Sequence, residues 1–302
     1  MSSRGTAPRI SGIDHLVLAT PDLDRASDQI RTLLGWEPAL TTEGQGGGLT
    51  VQLFSLGNCA LELMAPTGPG PMGDRLRAVL ADQGEGLASL AFSTADVARV
   101  HRRLTHLGME PDPIVAAAST GADGQTHHWQ RTRVGPAHCP GLKLFVLERA
   151  APLVPGTPLP GAEHARVSGL DHVVIRSPNP DRAAALFGAR LGLDLRLDQT
   201  APQWGARLQL FRCGDAIVEV AHDLKAGLGD GPDQLWGLSW RVGDADAARA
   251  RLAGAGLNVS EVRAGRKPGT RVFTVRDRTR GVPTLMVEPA APRGPAAEPA
   301  LD

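Results

Sequence analysis

Apolar and polar positions follow two different periods along the chain. In "IDHLVLA", from Ile13 to Ala19, Ile13, Leu16, Val17 and Leu18 crowd a short segment ahead of Pro21. That pattern predicts a strand. Leu23, Ala26, Ile30, Leu33 and Leu34 then recur at helical spacing behind Asp22, with Gly35 as a stop. They predict an amphipathic helix with an acidic start. Short strand-like runs follow, ending in the apolar "ALELM" of Ala60–Met64. The unit therefore reads strand, helix, then several strands: βαβββ.

The unit is repeated. A shift of 157 residues lays Gly12, Asp14, His15, Val17, Pro21, Asp24, Arg25 and Ala26 on Gly169, Asp171, His172, Val174, Pro178, Asp181, Arg182 and Ala183. The match runs without a gap from Ser11 to Met64 and marks a duplication. A second match, at a shift of 148, lays Leu90, Phe92, Asp96, Arg103, Leu104 and Gly108 on Leu238, Trp240, Asp244, Arg251, Leu252 and Gly256. The runs "GLKLFVLE" and "GVPTLMVE" then coincide. Each half thus holds two units, and the expected fold class is α+β, four βαβββ modules paired into two domains. The proline-rich run 151–166 reads as a linker between a first domain (11–150) and a second (167–290). Residues 1–10 and 291–302 read as disordered ends.

Composition narrows the functional classes. The chain has 302 residues, enough for two ordinary domains, and 42% of them are hydrophobic. Thirty-two basic residues balance 32 acidic ones, so no charge excess points to nucleic acid or an anionic membrane. No apolar run reaches the roughly 18 residues of a membrane span, and the first residues carry no secretion signal. Cys59, Cys139 and Cys213 stand far apart, as reduced thiols of a cytoplasmic protein do. The expected partner is a small molecule, bound by a monomer or homodimer.

Two histidines and two glutamates stand out. Glu62 follows His15 by 47 residues, and Glu219 follows His172 by the same 47. Side chains alternate along a strand. Ile13, His15 and Val17 are therefore expected on one face, and Leu16 and Leu18 on the other, against the helix. His15 and Glu62 then look into the concave side of the sheet. A carboxylate in such a strand must be protonated, paired or metal-bound.

Four βαβββ units, with His in an opening strand and Glu in a closing one, resemble the vicinal oxygen chelate superfamily. That group includes glyoxalase I, methylmalonyl-CoA epimerase, extradiol dioxygenases and drug-resistance proteins. The resemblance implies two glyoxalase-like domains with curved mixed sheets. It also implies metal ligands at His15, Glu62 and Glu148 in the first half, and at His172, Glu219 and Glu288 in the second. Glu148 and Glu288 become the proton-shuttling candidates. Many relatives carry a second His seven residues before the helix-leading Asp; here those places hold Ser89 and Gly237. One nitrogen and two oxygens suit Zn²⁺, Mn²⁺, Mg²⁺, Co²⁺ or Ni²⁺ better than Fe²⁺. The expected activity is a metal-dependent lyase, isomerase or epimerase acting through an enediolate or enolate. The alternatives are an extradiol-type dioxygenase, opposed by the missing second His and by a chain without tyrosine, and a non-enzymatic binder of small molecules.

Lesser candidates complete the picture. His127 or His128 is a possible extra donor in the first half. Arg131, Arg133, Arg278 and Arg280 recur as "RTR" and suit a substrate carboxylate as well as a solvated surface. His101, His106, Arg102 and Arg103 read as a solvated helix face. "GQGGG" at 44–48 reads as a flexible connector. The longer insertions of the first half favour it as the working site.

Overall fold

The computed structural model describes residues 10–43, 47–121 and 124–291. The expectations for 1–10 and 291–302 fall outside these residues, save at Ile10 and Ala291, as does most of 44–48. The first half runs β1 (Gly12–Ala19), α1 (Leu23–Leu34), β2 (Leu40–Glu43), β3 (Leu49–Ser55), β4 (Ala60–Pro66), α2 (Pro71–Gln83), β5 (Gly86–Ser93), α3 (Val97–His106), β6 (Val115–Thr120), β7 (Thr126–Arg133) and β8 (Leu144–Arg149). The second runs β9 (Val167–Arg176), α4 (Pro180–Ala184), β10 (Asp194–Ala201), β11 (Ala206–Cys213), β12 (Ala216–Asp223), β13 (Gln234–Val242), α5 (Ala245–Gly254), β14 (Arg263–Ala264), β15 (Arg271–Val275) and β16 (Thr284–Glu288).

The two sheets have one topology. The first is ordered β2-β3-β4-β1-β5-β8-β7-β6 and the second β10-β11-β12-β9-β13-β16-β15-β14. In the first, β1 lies parallel to β4 and antiparallel to β5, and β5 is parallel to β8. Each sheet therefore joins two βαβββ units along their opening strands, and the four-module α+β fold stands.

Local chemistry explains the helices. Asp22, Asp96, Asn179 and Asp244 each cap a helix, accepting a backbone N–H three residues on. Gly35 ends α1 in the left-handed region, at φ 82°, where a Cβ would be strained. α4 is short. Its continuation widens by one residue per turn, with Leu191 N–H donating to Leu186 C=O at 2.9 Å.

Leu16, Leu18, Leu61, Leu63, Leu90, Phe92, Leu144 and Val146 meet α1 and α3 in a buried core that continues without a break into the second half. Ile13 belongs to this core too, at 3% exposure. Simple alternation put it beside His15. A register shift between Ile13 and His15 turns it to the helix side.

The halves are braced by reciprocal arginines. Arg251 on α5 donates to the carbonyls of Thr32 (2.6 Å) and Leu33 (2.9 Å) at the end of α1, and to Ala165 (2.9 Å). Burial pushes its pKa down to about 10, which leaves it charged at neutral pH. Its repeat equivalent, Arg103 on α3, donates to Ala189 (3.0 Å) and Arg190 (3.4 Å) beyond α4. Arg103 is therefore a brace and not part of a solvated face. Residues 151–166 lie along the first half: Glu37 N–H donates to Thr157 C=O and Leu159 N–H to Gly35 C=O.

Candidate active site

Strand register fixes what surrounds each histidine. On the face turned away from the core, His15 lies between Ala60 on β4 and Ala91 on β5, and Phe145 on β8 pairs with Ala91. The neighbouring row is Glu62, Val17 and Ser89. The second half repeats this as Ile217, His172, Ser239 and Leu285, with Glu219, Val174 and Gly237 beside them. His15 Nε2 is 3.9 Å from Glu62 Oε2, and His172 Nε2 is 3.6 Å from Glu219 Oε2. The structure thus brings each His to its Glu.

It does not bring Glu148 or Glu288 to them. Glu148 shares the face of the buried Leu144 and Val146, and its Oε2 accepts the Val97 N–H at 2.9 Å, at the start of α3. Glu288 shares the face of the buried Met286. It accepts the Ala245 N–H at 2.8 Å, at the start of α5, and pairs with Arg271 at 3.3 Å. Both carboxylates satisfy helix N-termini, where negative charge is favoured. They sit on the wrong side of the sheet to be ligands or bases. The place facing His15 along β8 belongs to Phe145, and its counterpart is Leu285. His127 and His128 lie far along β7 and join no donor cluster.

The expected metal sets therefore do not form. Each face supplies one imidazole and one carboxylate. Among the described residues no group of three or more His, Cys, Asp or Glu is arranged to hold a metal ion. Zinc ordinarily takes at least three protein donors, so the two on each face do not fit it.

What the site does contain is an acid–base assembly that the residue patterns did not single out. Asp14 Oδ1 lies 2.6 Å from His15 Nδ1, and Arg149 grips Asp14 through two bonds, of 2.9 and 2.7 Å. Burial raises the Asp14 pKa, but the bonds from His15 and Arg149 outweigh it and hold the carboxyl below its ordinary value. Asp171 behaves alike, with His172 at 2.8 Å and Arg241 at 3.2 Å. An ionised Asp accepts the Nδ1 proton, and in the neutral imidazole that leaves the lone pair on Nε2. The visible signal was the dipeptide Asp-His, present in both copies.

The two assemblies differ at one atom. His172 Nε2 takes the Ser239 hydroxyl at 2.7 Å. The corresponding residue in the first half is Ala91, so His15 Nε2 has no hydroxyl partner there. Two further features mark the first half. Helix α2, which the sequence pattern did not reveal, packs Leu76 on Ala19 and Leu49, with Met64, Leu80 and Ala88 against them. Ala19 and Met64 share the His15–Glu62 face, so α2 covers its end. On β7, Arg131 stands over the Phe145 ring at 5.2 Å, and among the described residues its guanidinium has no carboxylate partner.

Four βαβββ modules in two like-ordered sheets, each with a His–Glu pair on its open face, define the vicinal oxygen chelate architecture. Family comparison agrees: the profile described as "Glyoxalase-like domain" matches residues 13–155, and that described as "Glyoxalase/Bleomycin resistance protein/Dioxygenase superfamily" matches 171–274. The chain is a two-domain member of that superfamily. It is 29% identical over 100 residues to the ethylmalonyl-CoA/methylmalonyl-CoA epimerase of Cereibacter sphaeroides, a match covering 33% of this chain and 72% of the epimerase. Among solved structures it resembles a variant of 4-hydroxymandelate synthase from Streptomyces coelicolor (TM-score 0.65, 16% identity, 96% of this chain and 95% of that one). It also resembles the Mn(II)-bound glyoxalase of Novosphingobium aromaticivorans (TM-score 0.61, 14% identity, 93% and 82%). At such identities the structural likeness speaks to fold. Among the described residues no helix is long and apolar enough to cross a membrane.

Proposed function

We propose that the first half catalyses proton transfer at a carbon beside a carbonyl, as a lyase or isomerase acting on a small anionic substrate. The observation that carries this reading is the Asp14–His15–Glu62 arrangement, with Nε2 unblocked. His15, oriented by Asp14, takes the proton through Nε2. Glu62 stands on the same side of the substrate, so it can relay that proton to a neighbouring atom. This geometry suits a shift along one face better than inversion between two opposed bases. Arg131 holds a substrate carboxylate, and α2 limits water at the end of the groove. No step is routed through a metal, because among the described residues no group of three donors gathers at either histidine.

The test is deuterium uptake. Purified protein, treated with chelator, is incubated in deuterium oxide with a panel of 2-hydroxy aldehydes, a hemithioacetal and methylmalonyl-CoA. Wild type is expected to label one substrate. Substitution of His15→Gln or Glu62→Gln should reduce labelling at least 100-fold, and His172→Gln less than threefold. Labelling that vanishes with the chelator and returns with a divalent ion would overturn the metal-free reading.

A non-enzymatic binder is the second reading. Phe145 and Leu285 favour it, since each puts an apolar side chain where a catalytic donor would face inward. Ligand-induced stabilisation without label uptake would point to it. Extradiol ring cleavage is not supported, because each face offers one imidazole where non-haem iron takes two and a carboxylate.

A further inference from the structure

The internal repeat creates two equivalent junctions between the halves, and they are built differently. At one, Arg182 at the start of α4 donates to Asp233 Oδ1 at 2.8 Å and to Gly231 C=O at 2.7 Å. Asp233 is buried and its N–H donates to Pro140 C=O at 2.9 Å. Gly141 packs so tightly there that a Cβ would stand 2.1 Å from Asp233 O. That junction is closed.

At the other junction, Arg25 takes the place of Arg182, Glu85 that of Asp233, and Gly281 that of Gly141. Here a cavity of about 750 Å³ opens between α1 and the loop joining β15 to β16. Arg25, Gln29, Arg276, Arg278 and Arg280 line it together with Glu85. The one glutamate is already committed: Arg280 Nε donates to it at 2.6 Å and the Thr20 hydroxyl at 2.5 Å. Asp277 accepts the Asn258 N–H at 2.8 Å. Arg278 reaches only a carbonyl, Ala255, at 3.2 Å. The side chains of Arg25 and Arg276 are exposed and, among the described residues, without a carboxylate partner. The backbone adds a second sign. Arg278 and Arg280 both adopt φ 54°, a left-handed conformation disfavoured for side chains of this size and found disproportionately at functional sites.

We propose that this junction binds a compact multiply charged anion, of the diphosphate class. Arg25, Arg276 and Arg278, without carboxylate partners among the described residues, line one space of small-ligand size, and arginine matches phosphate oxygens in a two-pronged geometry. The closed junction shows what the same frame does when its arginine is neutralised. The loop with two left-handed residues carries Arg276, Arg278 and Arg280 along one side of that space.

The test is calorimetric titration of the full chain with inorganic pyrophosphate, with sulfate at matched ionic strength as a comparison. Saturable binding of one pyrophosphate per chain is expected, at least tenfold tighter than sulfate. Arg25→Ala with Arg276→Ala should weaken it at least tenfold. Arg278→Gly keeps the left-handed turn, so the chain folds, and should weaken binding by a similar factor. Absence of saturable binding, equal affinity for sulfate, or wild-type affinity in Arg278→Gly and in the double variant would each overturn the proposal. Binding by His15→Gln at wild-type strength is expected, because the cleft stands apart from the groove.

Discussion

At the residue scale, the proposed chemistry rests on how one side chain orients the next. His15 carries no signal alone; the repeated Asp-His dipeptide does, because an adjacent carboxylate fixes which nitrogen faces the groove. Alternation along β1 was enough to place His15 and Glu62 on a common face. It failed at Ile13, because a bulge is invisible in a short apolar run. The family resemblance misled at Glu148, which it offered as a ligand. Every residue of "LFVLE" before the glutamate is apolar, so nothing in the letters says which face is buried. Burial of Leu144 and Val146 decides it, and only packing supplies that. The clamp on Asp14 has a pH signature. Its carboxyl is held below the ordinary value of about 3.9. The stability it contributes is therefore complete above that value and is lost as pH falls through the lowered one. The melting temperature of wild type should drop more steeply below about pH 4 than that of Asp14→Asn. Equal slopes would show that the clamp does not hold in solution.

At the element scale, the helices were legible where caps and apolar spacing agreed, as at α1, α3 and α5. Helix α2 was not: Gly68, Pro69, Gly70 and Pro71 lead into it and look like a loop, while its apolar contacts are few and face the groove, not the core. Glu148 and Glu288 now find their role here. Each caps the helix of its own unit, across from the closing strand. Glu148→Ala should therefore lower stability by about 1–2 kcal/mol in chemical denaturation and leave deuterium labelling within twofold of wild type. A large loss of labelling at unchanged stability would return Glu148 to the chemistry.

At the scale of the whole molecule, duplication was the most readable feature, since a shifted sequence matches itself without any knowledge of contacts. What the shift could not reveal is how the copies meet. Arg103 and Arg251 are aligned by the repeat, yet Arg103 reaches Ala189 and Arg190, and Arg251 reaches Thr32 and Leu33, in the opposite half and beyond any local pattern. Arg251→Ala would leave three carbonyls without their donor, in a largely buried setting. A loss of about 3 kcal/mol is expected, with a single cooperative transition for both halves. Arg103→Ala should cost less, its bonds being fewer and longer. Two separate transitions in Arg251→Ala would show the lobes to be independent.

Those crossed arginines also bear on how the copies could diverge. Each lobe finishes a helix that belongs to its twin, so neither could be discarded without cost to the other, whatever its own groove does. A lobe held in place by its twin is free to change its pocket, and Ser239 beside His172, where the first half has Ala91, is one such difference.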